Sequence, residues 1–319
     1  MPKISVIIPA YNAEWTLQQT VESVQNQTFS DFEIIIINDG STDGTVDLLK
    51  NISDHRLKVF SYENGGVCVA RNRGISHAIG EFISFLDADD LWTPDKLEAQ
   101  LNALKIYPEA AVAYSWTYFF NEQAGDQIPG HPGHPAFFEG DVYAALLQEN
   151  FLCNGSNILA RRNASEQVGE FDSSFPHCAD WDYYLRLAAQ FKFTLVQKHQ
   201  IVYRQSTNSM TSTKIDGIER QCLLMLNKAY QAAPIQYQHL KNNSLCWIFE
   251  YCTQQYLQYS TDLRGIQTAS QKFWKAVRLR PQILLEDYGQ SLARSLIKRW
   301  VLSLATNISR SQIQTGEGK

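Results

Sequence analysis

A chain of 319 residues, 44% hydrophobic and 19% charged, holds enough apolar content for a sizeable core, as one large domain or two moderate ones. Apolar residues are spread along it, which excludes collagenous, coiled-coil and disordered classes. A net charge of −5, with no basic block before the C-terminal stretch, counts against a nucleic-acid binder that works by neutralising phosphates.

In chain order, Ile4 to Ile8 is a β-branched run closed by Pro9, and it reads as a buried strand. Asn12 is placed to cap a helix whose face carries Leu17, Val21 and Val24. Glu33 to Ile37 reads as a second buried strand, ended by the turn formers Asn38-Asp39-Gly40-Ser41-Thr42-Asp43-Gly44. A short helix near 45–53, a strand near Lys58, a helix near 67–79 and a strand from Phe82 to Leu86 follow. Thr93 is expected to cap a further helix, with Pro94 in its first position. Val112 to Phe120 is a strand, 121–138 a long surface loop, and Ser156 to Arg161 strand-like. A helix from Trp181 to Ala189 and a strand from Phe193 to Tyr203 come next. Beyond about 215 the pattern is helical, so 1–214 and 215–319 are expected as separate regions. Alternating strands and helices imply an α/β fold with a mostly parallel sheet, and such sheets bind ligands at the carboxyl ends of their strands.

The six cysteines form no metal-like spacing and read as free thiols. Met1-Pro2-Lys3 runs straight into the first strand, and no apolar run approaches a membrane span. A soluble or at most peripheral protein is expected.

Polar residues cluster at the strand ends. In Asp87-Ala88-Asp89-Asp90, carboxylates two apart after a buried strand can aim into one cleft and bind a hard divalent cation; alone, the run also reads as a solvated turn. Asp39 can accept hydrogen bonds from a base or ribose, or simply belong to a turn. Arg71, in the first turns of a helix after Gly65-Gly66, suits a phosphate or a nucleobase carbonyl, or a surface ion pair. In Asp180-Trp181-Asp182, Asp180 is either a helix cap or a general base beside a Trp platform for a sugar, and His177 lies three residues before it. No nucleophile elbow, phosphate-binding P-loop, zinc-protease motif or dinucleotide fingerprint is present in the sequence.

Together these residues resemble a family 2 glycosyltransferase of the GT-A fold. The resemblance rests on Ser5-Val6-Ile7-Ile8-Pro9-Ala10-Tyr11-Asn12, the Asn38-to-Thr45 run, Ala70-Arg71-Asn72-Arg73-Gly74 and Phe85-Leu86-Asp87-Ala88-Asp89-Asp90. Val168-Gly169-Glu170-Phe171-Asp172 and Asp180-Trp181-Asp182 with Leu185-Arg186 continue it in order. It implies an inverting, metal-dependent transfer from a nucleotide diphosphate sugar, a UDP-sugar by expectation, to a saccharide or lipid-linked acceptor in polysaccharide or glycolipid synthesis. By the same resemblance Pro9, Ala10 and Tyr11 line the base pocket, Asp39 bonds the base, and Arg71, Asp87 and Ala88 lie along the donor. Asp89 would ligate Mn²⁺ or Mg²⁺ and Asp180 would be the base; from their own positions beside Asp180, Trp181, Asp182 and His177 are expected on the acceptor side. Two departures stand out: Ala179 replaces the acidic residue often found before the base, and Tyr203-Arg204-Gln205-Ser206 lacks the family's usual His, which puts closure of the site by that segment in doubt. A non-catalytic nucleotide-sugar-binding scaffold is the competing expectation. Finally, Leu292, Leu296, Trp300 and Leu304 recur every four residues beside Arg294, Lys298 and Arg310, a pattern expected either to touch the inner face of a membrane from the cytoplasm or to pack on a core.

Overall fold

The computed structural model describes residues 1–123, 126–205, 215–260 and 262–316. They form two compact units, one made of Met1–Leu146 and Asn150–Ser206, the other of Leu147–Glu149 and Thr207–Lys319.

The first unit is built on a mixed sheet. β1 (Ile4–Ala10), β2 (Phe32–Asn38), β3 (Leu57–Ser61) and β4 (Phe82–Phe85) pair in parallel, in the order β3-β2-β1-β4. Every residue of β1, β2 and β4 is buried, as expected of largely apolar strands covered on both faces. Pro9 continues β1 instead of closing it, because the strand runs on to Ala10 beside Asn38. Beyond β4 the sheet changes direction. β8 (Leu159–Arg161) is antiparallel to β4 and to β6 (Ala110–Gln123), β6 is parallel to β9 (Lys192–Gln205), and β5 (Leu91–Trp92) closes the edge against β9. The segment expected as a loop over 121–138 is in part a ribbon: β7 (Asp126–Pro132) folds back antiparallel on β6. Gly130 and Gly133 permit this, since a Cβ there would lie 2.2 and 2.8 Å from the Phe119 and Thr117 carbonyl oxygens of β6.

Crossover helices α1 (Leu17–Gln25), α2 (Thr45–Asn51) and α3 (Val67–His77) link the parallel strands, and α4 (Lys96–Ile106) packs beyond them. Leu17, Val21 and Val24 bury against Ile4, Val6, Ile34 and Ile36, as the spacing predicts. Two expected caps are displaced. Asn12 takes a left-handed φ of 48° and joins a turn instead, while Thr16 flanks α1. Thr93 and Pro94 instead form a turn, closed by the Lys96 N–H on the Thr93 carbonyl at 3.2 Å, and Asp95 stands at the start of α4. α5 (Tyr143–Gln148), α6 (Arg162–Val168) and α7 (Ala179–Ala188) complete the described helices of the sheet-bearing part.

The second unit is helical: Ile215–Ala232, Lys241–Tyr259, Leu263–Leu279 and Asp287–Gly316. Asp262 caps the third, its Oδ1 accepting from the Gly265 N–H at 2.9 Å. Leu292 and Leu296 are 5% and 6% exposed, packed with Phe249, Phe273 and Ile283, and Trp300 Nε1 donates to Ser270 Oγ at 3.0 Å. Leu292 and Leu296 of the stripe are thus part of this unit's core, and Trp300 is half-buried beside it; the side chains of Leu304 and Arg310 lie outside the described residues. No described helix is long and apolar enough to cross a membrane.

Candidate active site

The ends of β1 and β2 are laced together. The Asn12 N–H donates to Ser41 Oγ at 3.0 Å and its Oδ1 accepts from the Thr42 N–H at 2.8 Å. Asp43 Oδ1 accepts from the Thr45 N–H, so this aspartate, and not Gly44, satisfies the start of α2. Tyr11 is 53% exposed at this rim, whereas Pro9 and Ala10 are buried in the strand.

Asp39, 2% exposed, is committed to the neighbouring loop. Its Oδ1 accepts from the Gly65 N–H (3.0 Å) and Arg73 Nη1 (2.9 Å), and its Oδ2 from the Gly66 N–H (2.7 Å). Gly66 has a φ of 84°, a conformation that glycine adopts freely. Three of the roughly four lone-pair positions on this carboxylate are thus occupied.

A second cluster centres on Arg71, which is 4% exposed. Its Nη2 donates to Asp87 Oδ1 at 2.5 Å and its guanidinium lies 5.3 Å from the centre of the Phe171 ring. Asp180, at the first turn of α7, reaches the surface on one side, yet the surrounding protein desolvates its carboxyl and raises its pKa against the opposing pull of Arg71. Asn150 Nδ2 donates to Asp180 Oδ2 at 3.1 Å. Gly155 lets the chain pass close by, since a Cβ there would lie 2.3 Å from Arg71 Nη2.

The acidic run is divided by its surroundings. Asp90 is fully buried; its Oδ2 accepts from Ser156 Oγ at 2.5 Å and its Oδ1 from the Arg204 N–H at 3.1 Å. Burial, then Asp89 and Asp87, hold Asp90 well above the usual carboxylate range. Asp89 opens to solvent, but protein flanks it closely enough that desolvation, reinforced by Asp87, pushes it up to about 6. The Ala88 carbonyl between them accepts from Thr16 Oγ1 (2.8 Å) and Thr20 Oγ1 (3.0 Å) on the α1 side. Asp87 and Asp89 are hard oxygen donors whose mutual repulsion a divalent cation would relieve, so this pair is chemically suited to Mg²⁺ or Mn²⁺. Among the described residues no cluster of three or more His, Cys, Asp or Glu forms an all-protein metal cage.

The acceptor-side expectations fare differently. Trp181 is 2% exposed and its Nε1 donates to the Leu146 carbonyl at 2.7 Å, so it cannot stack a sugar; the indole is core, held by a buried acceptor. Asp182 is likewise buried and pairs with Arg186 Nε at 2.8 Å along α7, which makes it structural. His177 is half-buried in the turn before that helix. Sequence reasoning missed Asn150, Gly155, Ser156 and Arg204. The Asn154-Gly155-Ser156 turn signal was readable, but nothing in it tells which strand end it meets. Arg204 does reach the acidic cluster, its Nε donating to the Asp89 carbonyl at 2.9 Å; Ser206 lies outside the described residues.

The site thus lies at strand ends of a mixed sheet flanked by helices, with carboxylates and a glycine-bearing loop around it. The chain matches the family described as "Glycosyltransferase like family 2" over residues 5–255, and it belongs to that family. It is 30% identical over 224 residues to the hyaluronan synthase of Pasteurella multocida, covering 69% of this chain and 22% of that one. It spans less than two thirds of the length of the curated relatives it matches. Its fold is similar to that of S. aureus TarS 1–349 in complex with UDP-GlcNAc (TM-score 0.63, 16% identity, 96% and 92% of the two chains). It is also similar to the mannosyltransferase PcManGT of Pyrobaculum calidifontis in complex with GDP-Man and Mn²⁺ (TM-score 0.60, 17% identity, 95% and 87%).

Proposed function

We propose that this glycosyltransferase moves a sugar from a UDP-sugar to an acceptor hydroxyl with inversion, in polysaccharide or glycolipid synthesis. The observation that carries the reading is Asp180: a desolvated carboxylate, held by Asn150, beside the Arg71–Asp87 pair. The base pocket of this reading is formed by Tyr11 and Asp39, with Pro9 and Ala10 as its floor. Arg71 lies beside the donor. Asp89, with Asp87, would hold Mn²⁺ or Mg²⁺, which when bound neutralises charge on the leaving diphosphate. Asp180 accepts the proton of the attacking hydroxyl, and its raised pKa strengthens it as a base. A carboxylate placed to take the acceptor's proton supports a single displacement, and with it inversion. The names of the relatives support polysaccharide synthesis and nucleotide-sugar donors.

The test is turnover of UDP-GlcNAc with Mn²⁺, followed by NMR of the anomeric configuration. The native chain should give an inverted product, and Asp180→Asn should lose about 10²–10⁴-fold in rate while still binding donor. Near-normal turnover by Asp180→Asn would remove it as the base. Donor binding without any turnover would favour the scaffold reading.

A further inference from the structure

We infer that Asn150 binds the acceptor, its Oδ1 taking the O–H of a saccharide hydroxyl next to the one that attacks. This rests on Asp180 being the base. Asn150 Nδ2 donates to Asp180 Oδ2 at 3.1 Å, and an ionised carboxylate can only accept, so the amide oxygen is turned away from it. That oxygen, Asn150 Oδ1, is buried and has no hydrogen-bond partner among the described residues. A buried acceptor left unpaired is costly, and native structures rarely keep one without a use.

The backbone that carries Asn150 is also held in place. The Asn150 carbonyl accepts from the Cys153 N–H at 3.2 Å, and Cys153 adopts a left-handed φ of 71°. Asn154 Nδ2 donates to Thr117 Oγ1 at 2.9 Å, and its carbonyl accepts from Tyr184 Oη at 2.7 Å, on the same helix as Asp180. Asn157 Nδ2 closes the turn on the Leu152 carbonyl at 3.1 Å. An acceptor oxygen fixed beside a base before substrate arrives loses little entropy on binding. Its chemistry matches an uncharged O–H donor. Two hydroxyls on neighbouring ring carbons fit the pair, one giving its proton to Asp180 and the other hydrogen-bonding to Asn150.

The experiment measures how UDP-GlcNAc turnover divides between transfer to methyl β-D-glucopyranoside and hydrolysis by water. Loss of support for Asp180 slows both routes, because the same base serves both. Loss of the hydroxyl contact slows transfer alone. Asn150→Ala should therefore lower the transfer-to-hydrolysis ratio about tenfold, the effect of one hydrogen bond, and raise the glycoside KM. Asn150→Ser gives the same readout if the alanine variant fails to fold. An unchanged ratio in a folded variant overturns the inference and leaves Asn150 as a support for Asp180. Hydrolysis without transfer to this glycoside by the native chain also overturns it. No turnover by the native chain of any of a panel of UDP- and GDP-sugars overturns the transferase reading itself.

Discussion

Gly155→Ala tests the packing of the cluster with one methyl group. The position has no left-handed φ, so the backbone accepts alanine and the effect is purely steric. The new Cβ would lie 2.3 Å from Arg71 Nη2, 3.1 Å from Arg71 Cζ and 3.1 Å from Asp87 Oδ2. To restore ordinary van der Waals contact the guanidinium must retreat by about 1 Å. It has little room to do so, because Arg71 is buried, bonded to Asp87 and stacked near Phe171. A misplacement of about 1 Å in such a group costs on the order of 10²-fold in rate, or about 2.7 kcal/mol of transition-state stabilisation. Overpacking should cost about 1–3 kcal/mol of stability. Steady-state kinetics with a UDP-sugar, read beside a thermal melt, separates the two. A kcat/KM within threefold of the native value would show that Arg71 need not be held where it is.

Asp89→Asn should abolish the Mn²⁺ dependence of UDP-GlcNAc binding in calorimetry; an unchanged metal response would reassign the ligand. Leu296→Ala should destabilise the helical unit by about 2–5 kcal/mol in denaturant unfolding, because its side chain fills that core; a loss below 0.5 kcal/mol would mean the stripe is not core. Lys96 is fully buried, with its Nζ on Ser84 Oγ at 2.6 Å and 3.9 Å from the centre of the Trp92 ring, and burial pushes its pKa well down. Between the folded pKa and the ordinary value of about 10.4 the unfolded chain binds a proton that the fold does not, so native stability rises with pH across that window. Lys96→Met should remove the slope. Parallel melting curves of the two proteins over pH 8–10 would contradict this.

The parallel half of the sheet was legible because β1, β2 and β4 are predominantly apolar, each interrupted only by polar residues that are themselves buried (Ser5; Glu33 and Asn38; Ser84), and burial on both faces leaves such runs few alternatives. The change of direction was not. β8 is three residues long, and its placement between β4 and β6 depends on pairings that no local pattern encodes. For the same reason Asp39, Arg71 and the acidic run could be singled out, each next to its own strand, while Asn150 and Ser156 could not: they join the cluster only through contacts such as Ser156 to Asp87, 69 residues away. Trp181 misled because an aromatic beside a carboxylate has the same sequence signature in a core as on a binding platform. The Asp182–Arg186 spacing of four was readable as an intrahelical pair.

The insertion of β8 between β4 and β6 also sets an order of assembly. β1 to β4 and their crossovers involve mostly short loop closures, so this half can form as soon as it leaves the ribosome. Asn72 and Phe171, which exchange two hydrogen bonds across 99 residues, cannot meet until far more chain has been made. Until β8 docks, the edge of β4 is an unpaired strand with open backbone groups, a template for pairing with another chain. Substitutions that weaken β8, such as those at Leu159 or Ala160, should therefore lower the yield of soluble protein in rapid expression more than they lower its melting temperature. A chaperone that shields strand edges should restore that yield.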